Sequence, residues 1–142
     1  ACGGTLSFPP YRDAGVDVRI GTDGAASSGN GLNLLHEARL ASLVQRHDHW
    51  DSTLLPAQGI FKMATKGSQD WVAWDLDDIR MRPLGRSNNR HLANLIYNGG
   101  ECLDVWVNGR ALRKDGITLS LDEKNIIAEL DHAVESDYEG VE

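Results

Sequence analysis

Residues 15–31 read GVDVRIGTDGAASSGNG and join an alternating segment to a glycine-rich loop. In residues 16–20, aliphatic side chains alternate with charged ones, a period of two that predicts a β-strand. The loop carries Asp23 and leads into residues 32–46, where aliphatic side chains recur close to the helical period. The sequence therefore predicts a strand, a loop and a helix in succession, which is the building unit of an α/β fold.

Further predicted elements lie on both sides of this unit. Upstream, residues 11–15 have the form of a helix end closed by Gly15. Downstream, Pro56 suits the first turn of a second helix that runs to about residue 66. The hydrophobic period then becomes that of strands. The remaining predictions are strands at residues 71–76, 102–107 and 110–114, one or two helical turns at 91–97 and a final helix at 120–136.

Two local signals fix the ends of these elements. Asn108-Gly109 separates two predicted strands, and this dipeptide favours a tight hairpin because both turn positions need a positive φ. Ser120 and Glu123 have the spacing of a capping box at the start of the final helix. That helix carries an apolar stripe, made by Ile126, Ile127, Leu130 and Val134, which predicts packing on one face.

Composition and charge exclude several classes of protein. The chain has 142 residues, 41% of them hydrophobic and 25% charged, as is typical of a globular domain with a core. Its net charge of −7 owes much to six acidic residues from Glu129 onward, so a basic surface for nucleic acid is not expected. No stretch has the roughly 18 apolar residues of a membrane span. Cys2 and Cys102 form no CxxC pair, and we expect a cytoplasmic protein.

The run at residues 15–28 resembles the last barrel strand of the amidohydrolase superfamily. The most similar branch contains the deaminases and chlorohydrolases that act on adenine-type nucleosides, cytosine, guanine and triazines. Further stretches resemble the family in the same order: LLHEARLAS at 34–42, FKMAT at 61–65, DWVAWDLDD at 70–78 and DVWVNGR at 104–110, followed by Asp115-Gly116. The resemblance covers almost the whole chain, but only the C-terminal third of a family member.

This resemblance implies an α/β architecture with three parts. They are the C-terminal slice of a (β/α)8 barrel of the TIM type, part of a small β-sandwich, and a closing helix. The implied boundaries are residues 1–69 for the last barrel strand with its helices, 70–120 for the strands of the β domain, and 121–142 for the helix and acidic tail. Active sites of such barrels lie at the C-terminal ends of the strands, where Asp23 stands.

The resemblance also implies a chemistry for Asp23. In the family the equivalent carboxylate binds the catalytic metal, zinc or iron, and carries a proton during hydrolysis, since a carboxylate can be both an oxygen ligand and a base. Ser27 and Ser28 would contact the substrate, because this loop lines the pocket in the family. The alternative is that these polar residues cap the next helix, a role that suits Asn30 best. The implied reaction is hydrolytic deamination or dechlorination of a purine-, pyrimidine- or triazine-like ring.

The implied metal site is incomplete in this chain. The family's His-x-His pair, a further metal-binding histidine, and a histidine and glutamate for proton transfer all come from the first two-thirds of the barrel. Between Lys66 and Asp70 the sequence also lacks a stretch of the β domain that family members carry. We expect the chain alone to be inactive, its partner being the missing N-terminal barrel portion or a chain that supplies it; a homo-oligomer is also allowed. The alternative is a non-catalytic structural or interaction remnant of the fold.

Other candidate sites have simpler interpretations. The triplet His47-Asp48-His49 has the spacing of a metal-binding pair, but it follows a helix and is predicted to be a polar helix end. His36 is predicted to lie on a helix surface. The loop at residues 21–31 lacks the third glycine and the Lys-Ser/Thr pair of nucleotide-binding loops. Three tryptophans in or beside strands are expected to pack in the core: Trp71, Trp74 and Trp106.

Overall fold

The computed structural model describes residues 4–24, 31–86 and 88–138. It divides into two compact units. The helical unit comprises residues 1–68 and 76–100, and the sheet unit comprises residues 69–75 and 101–142. None of the helices in the described ranges is long and apolar enough to cross a membrane.

The helical unit contains four α-helices and a short 3₁₀ turn. They are α1 (Phe8–Asp13), α2 (Leu34–His49), α3 (Ala57–Thr65), the turn Ile79–Met81 and α4 (Asn88–Asn98). The helix end predicted at Gly15 is confirmed, because Gly15 has φ 72° and its N–H donates to the carbonyl of Arg12. The predicted turns at 91–97 are part of the longer α4.

α2 begins later than its apolar period suggests. The Asn33 side chain accepts hydrogen bonds from the backbone N–H groups of Leu35 and His36, at 3.1 and 3.2 Å. Such a cap satisfies donors that have no partner within the helix. The prediction that Asn30 caps this helix is therefore wrong. Residues 25–30, which include Ser27 and Ser28, lie outside the described residues.

The core of the helical unit lies between α2, α3 and α4. Its buried side chains are Ala38, Leu55, Ala57, Ile60 and Ile96. The buried hydroxyl of Ser42 donates to the carbonyl of Leu55 at 2.8 Å and lies 2.9 Å from the Tyr97 hydroxyl oxygen. This polar contact holds the chain between α2 and α3 against the core, where Leu55 adopts φ 43°.

The buried side chain of Gln45 fixes the start of the described chain. Its amide nitrogen donates to the carbonyl of Leu6 at 2.5 Å, and its amide oxygen accepts from the N–H of Phe8 at 2.8 Å. Only 5% of Gln45 is exposed, and a buried amide is retained at low cost when both its donor and its acceptor are used. Gln45 thereby ties α2 to the residues that lead into α1.

Residues 16–20 do not form the predicted strand. They have no regular secondary structure, although the N–H of Ile20 donates to the carbonyl of Met63 at 3.2 Å. A strand needs neighbouring strands to satisfy its backbone groups, and the helical unit supplies none within its described residues. The alternation of residues 16–20 is therefore not accompanied by strand pairing in the described part of the chain.

The sheet unit contains four antiparallel strands in the order β1-β2-β3-β4. They are β1 (Trp71–Trp74), β2 (Cys102–Val107), β3 (Arg110–Lys114) and β4 (Ile117–Thr118), of which β4 was not predicted. The hairpin at Asn108-Gly109 is confirmed by φ values of 50° and 76°. A second turn at Asp115-Gly116 joins β3 to β4, with the N–H of Asp115 donating to the Asp104 carboxylate at 2.9 Å.

The tryptophans of the sheet are less buried than predicted. Trp71 and Trp106 pair across β1 and β2 with ring centroids 5.3 Å apart in a stacked arrangement. Trp71 is 49% exposed, so the prediction that it packs in the core is wrong. Trp74 and Trp106 are half-buried. The pair stabilises the β1–β2 contact by cross-strand stacking on a largely open face.

The final helix, α5 (Glu123–Tyr138), is capped differently from the prediction. The Asp122 carboxylate accepts from the N–H of Asn125 at 3.1 Å, whereas the Glu123 carboxylate bonds to the Thr118 hydroxyl. The predicted capping box with Ser120 is therefore wrong. The apolar stripe of α5 is 37–60% exposed, which contradicts the predicted packing through Ile126, Ile127, Leu130 and Val134.

Candidate functional site

Asp23 lies directly after residues 16–22, which have no regular secondary structure, and it is exposed. Its φ of 56° is left-handed, a region in which Asp and Asn are the most tolerated non-glycine residues. Its Oδ1 accepts from the N–H of Gly24 at 2.8 Å, and the Thr22 hydroxyl donates to its carbonyl at 3.2 Å. These local hydrogen bonds therefore hold the Asp23 carboxylate at the end of the segment formed by residues 16–22.

An ionic cluster attaches the segment to the C-terminal end of α3. The Lys66 Nζ lies 2.8 Å from Asp17 Oδ1, and the Arg19 Nη2 lies 3.1 Å from Asp17 Oδ2. Arg19 Nη1 also donates to the backbone carbonyl of Lys66 at 3.2 Å. We call Asp17, Arg19 and Lys66 the Asp17 clasp. Together with the hydrogen bond from Ile20 to Met63, the clasp sets where the Asp23 loop begins.

The clasp predicts a pH effect on Asp17. The pKa of the Asp17 carboxyl lies below its ordinary value, chiefly because Lys66 donates a hydrogen bond to it and secondly because Arg19 does. The stabilisation that the clasp gives to the folded state is therefore fully present above the ordinary pKa of a carboxyl group. It is lost as the pH falls through the lower pKa that Asp17 has in the folded state.

We expect Lys66→Met to raise the pKa of Asp17 toward that of a free aspartate. An NMR titration of the side-chain carboxyl carbon measures this change directly. Lys62→Met, on the same helix, is the control and leaves the pKa of Asp17 unchanged. An Asp17 pKa that is equally low in the Lys66→Met variant would contradict the clasp.

Asp23 alone does not make a metal site. In the described ranges there is no group of three or more histidine, cysteine, aspartate or glutamate side chains that could hold a metal ion. Zinc sites in proteins use three or four protein ligands. The described residues therefore do not fit a complete zinc or iron site, and Asp23 could supply one ligand of it.

The histidines that sequence analysis singled out lie on α2. His47 and His49 are in its last turn, which confirms their position at a helix end. The His47 ring stacks on Trp50 with centroids 6.5 Å apart, and His49 Nε2 lies 3.2 Å from the Ser7 hydroxyl. His36 is exposed in the first turn of α2, as predicted.

A mainly apolar groove of about 550 Å³, which Arg19 and Glu37 also line, lies beside residues 18–21. We call it the α2 groove. Aliphatic side chains line it from three directions: Leu6, Val18, Ile20, Leu40, Ala41 and Val44. Sequence analysis did not identify this groove, although residues 16–20 and α2 together contain all of these aliphatic residues except Leu6. The groove adjoins the segment that carries Asp23.

Comparison with known proteins identifies relatives of this chain. No family model matches the chain. The 5-methylthioadenosine/S-adenosylhomocysteine deaminase of Halothermothrix orenii is 35% identical over 128 residues, which cover 79% of this chain and 30% of the relative. The enzyme of the same name from Bacillus cytotoxicus is 32% identical over 142 residues, covering 89% and 32%.

Solved structures agree with these relatives. A zinc-bound adenosine deaminase from Xanthomonas campestris superposes with a TM-score of 0.79 and 25% identity, over 94% of this chain and 34% of its own. The chain belongs to the amidohydrolase superfamily. A zinc complex of atrazine chlorohydrolase from Arthrobacter aurescens is another amidohydrolase neighbour, with a TM-score of 0.70, 26% identity, and coverage of 89% and 31%.

The resemblance inferred from residues 15–28 is thus confirmed at the level of the superfamily. This amidohydrolase chain spans about a third of the length of the relatives it matches. Its described fold is mixed, with helices and a four-stranded antiparallel sheet. The division of the chain at residues 69 and 120 and the roles of Asp23, Ser27 and Ser28 stay predictions.

Proposed function

We propose that this chain is the C-terminal part of a metal-dependent amidohydrolase that cleaves a C–N or C–Cl bond of a purine-, pyrimidine- or triazine-like ring. The observation that carries the proposal is the placement of Asp23. Its carboxylate directly follows residues 16–22, which the Asp17 clasp attaches to the end of α3. The similarity to deaminases and to a chlorohydrolase supports the reaction class.

In this proposal Asp23 is both a metal ligand and a proton carrier. An exposed carboxylate can accept a proton and supply a hard oxygen ligand. The metal, zinc or iron, would supply Lewis-acid activation of water. The remaining ligands come from the N-terminal barrel portion, so the chain alone is inactive. Ser27 and Ser28 belong to the same proposal as substrate contacts.

The proposed architecture follows from the same assignment. Residues 16–22 would be the last strand of a (β/α)8 barrel, with α2 and α3 as helices on its outer side. The four-stranded sheet would be part of a small β-sandwich. A cytoplasmic location is part of the same proposal.

A chimera tests the proposed function. The full chain replaces the matching third of the Halothermothrix orenii deaminase, and native mass spectrometry measures the zinc content. Deamination of 5-methylthioadenosine is followed in parallel. We expect bound zinc and measurable turnover. A folded chimera with neither would contradict the proposal and favour the non-catalytic remnant.

A further inference from the structure

The Asn108-Gly109 turn between β2 and β3 carries a chemistry that is independent of the proposed function. An asparagine followed by glycine can cyclise, because the glycine has no side chain to keep its backbone nitrogen away from the asparagine amide. The chain has three such pairs, Asn30-Gly31, Asn98-Gly99 and Asn108-Gly109. Residue 30 lies outside the described residues, so the structure describes only the other two pairs completely.

The reacting groups of Asn108-Gly109 are accessible in the folded hairpin. Both residues are exposed at its tip, with φ values of 50° and 76°. Within the described part of the chain, the Gly109 N–H and the Asn108 side-chain amide make no hydrogen bond. The turn is anchored instead through the backbone N–H of Asn108, which donates to Asp70 Oδ1 at 2.9 Å. Cyclisation of this pair therefore breaks none of the described hydrogen bonds.

The Asn98-Gly99 pair has the same two residues in a different setting. Asn98 Nδ2 donates to the carbonyl of Arg80 at 3.3 Å, and the Gly99 N–H donates to the carbonyl of Leu95 at 3.1 Å. Both hydrogen bonds must break before the Gly99 nitrogen can attack, which amounts to opening the end of α4. Steric access does not distinguish the two pairs, since a Cβ on either glycine would meet no atom within 4 Å.

We propose that Asn108 is a site of spontaneous deamidation in the folded chain, and that Asn98 is protected by its hydrogen bonds. Hydroxide takes the proton of the Gly109 N–H, and the nitrogen forms a bond to Asn108 Cγ while the Cγ–Nδ2 bond breaks. The departing nitrogen takes up a proton from water and leaves as ammonia. Water then opens the cyclic imide at one of its two carbonyls, which gives either aspartate or isoaspartate.

This reaction changes the turn that fixes the register of β2 and β3. In the isoaspartate product the backbone runs through Cβ and Cγ of residue 108, which adds one atom to a loop whose length selects the turn type. Val107 and Arg110, which pair across the hairpin, are the residues next to this loop. Either product also adds a carboxylate to the residue whose backbone N–H binds the Asp70 carboxylate. We therefore expect deamidation to loosen the pairing of β2 and β3.

Peptide mapping by mass spectrometry tests the site on the full chain. Folded chain, and chain unfolded in guanidinium chloride, are incubated at the same mildly alkaline pH, and the mass gain that accompanies the exchange of NH₂ for OH is followed with time. Trypsin leaves both pairs on one peptide, residues 91–110, whereas a glutamate-specific protease cuts after Glu101 and separates them. Each pair can then be followed by itself.

The unfolded chain is the matched control for the folded one. In the unfolded chain we expect similar rates at Asn98 and Asn108, because glycine follows both. In the folded chain we expect Asn108 to react at least about tenfold faster than Asn98, since the reaction at Asn98 waits for a local opening of the helix end. Equal rates at the two sites in the folded chain, or a faster reaction at Asn98, would overturn the proposal.

The variant Asn108→Asp separates the added charge from the added backbone atom. Aspartate tolerates the left-handed φ of residue 108, and a freshly prepared variant has the ordinary backbone in every molecule. We expect backbone amides of β2 and β3 to exchange about tenfold or more faster in the isoaspartate fraction of the aged chain than in this variant. Exchange in α2 should be the same in both. Equal exchange in β2 and β3 would overturn the predicted loosening of the hairpin.

Discussion

Replacing Asp23 by asparagine in the chimera is expected to lower turnover by about 10³-fold, within the range that removal of an acid–base group produces. Zinc affinity should fall with it, because a neutral amide is a much poorer zinc ligand than a carboxylate. Asparagine is chosen because it tolerates the left-handed φ of 56° at this position. The substitution therefore removes charge without forcing the loop to change.

Asp48→Asn is the control for this experiment. Asp48 is an exposed aspartate between His47 and His49, at the far end of α2 from the Asp23 loop in sequence. We expect unchanged zinc content and turnover in that variant. If Asp23→Asn retained both zinc and turnover, Asp23 would be neither ligand nor proton carrier. Loss of both in Asp48→Asn would instead transfer the metal site to the end of α2.

Replacing Ile60 by alanine is expected to destabilise the helical unit by about 2–5 kcal/mol. Ile60 is fully buried at 0% exposure, and it packs in the cluster that contains Ala38, Leu55 and Ile96. Truncation leaves a cavity that the short α3 cannot close without moving against α2 and α4. The free energy of unfolding is measured by urea denaturation, followed through the helical circular dichroism signal.

Leu43→Ala is the matched control for Ile60→Ala. Leu43 is 44% exposed, so its removal should change the free energy of unfolding by about 0.5 kcal/mol or less. A similar loss in the two variants would mean that the buried cluster does not carry the stability of this unit. The ordering of the two variants is thus the test of where the core lies.

Much of the sheet could be predicted because the sequence signals that specify its strands and its turn are local. The bounds of β2 and β3 could be predicted from the turn between them, because Asn108-Gly109 fixes that turn through its own backbone preference. The segment at residues 16–20 alternates aliphatic and charged residues but forms no strand. The difference is physical, since a hairpin brings its own partner strand, whereas no strand lies beside residues 16–20 in the described part of the helical unit.

The candidate site was predicted in part. Asp23 could be proposed as a site residue from its resemblance to a family motif, and that role stays a prediction, whereas the contacts that hold its segment join distant residues. Lys66 and Asp17 are 49 positions apart, and Arg19 and Lys66 are 47 apart. Such pairs leave no periodic signal, because any charged or amide side chain could make the contact. The predictions of the helix caps were wrong for a related reason. Several polar residues near the start of each helix could cap it, and the sequence does not show that Asn33 and Asp122 are the ones that do.

The chain passes between its two units three times, after residues 68, 75 and 100. Neither unit can therefore be excised as one uninterrupted piece. A truncation after residue 68 would remove α4 and with it the buried Leu95 and Ile96. A truncation that begins at residue 101 would delete β1 and leave β2 as an unpaired edge, which invites aggregation. Independent expression of either unit requires a circular permutation or a new linker that reconnects its separated segments.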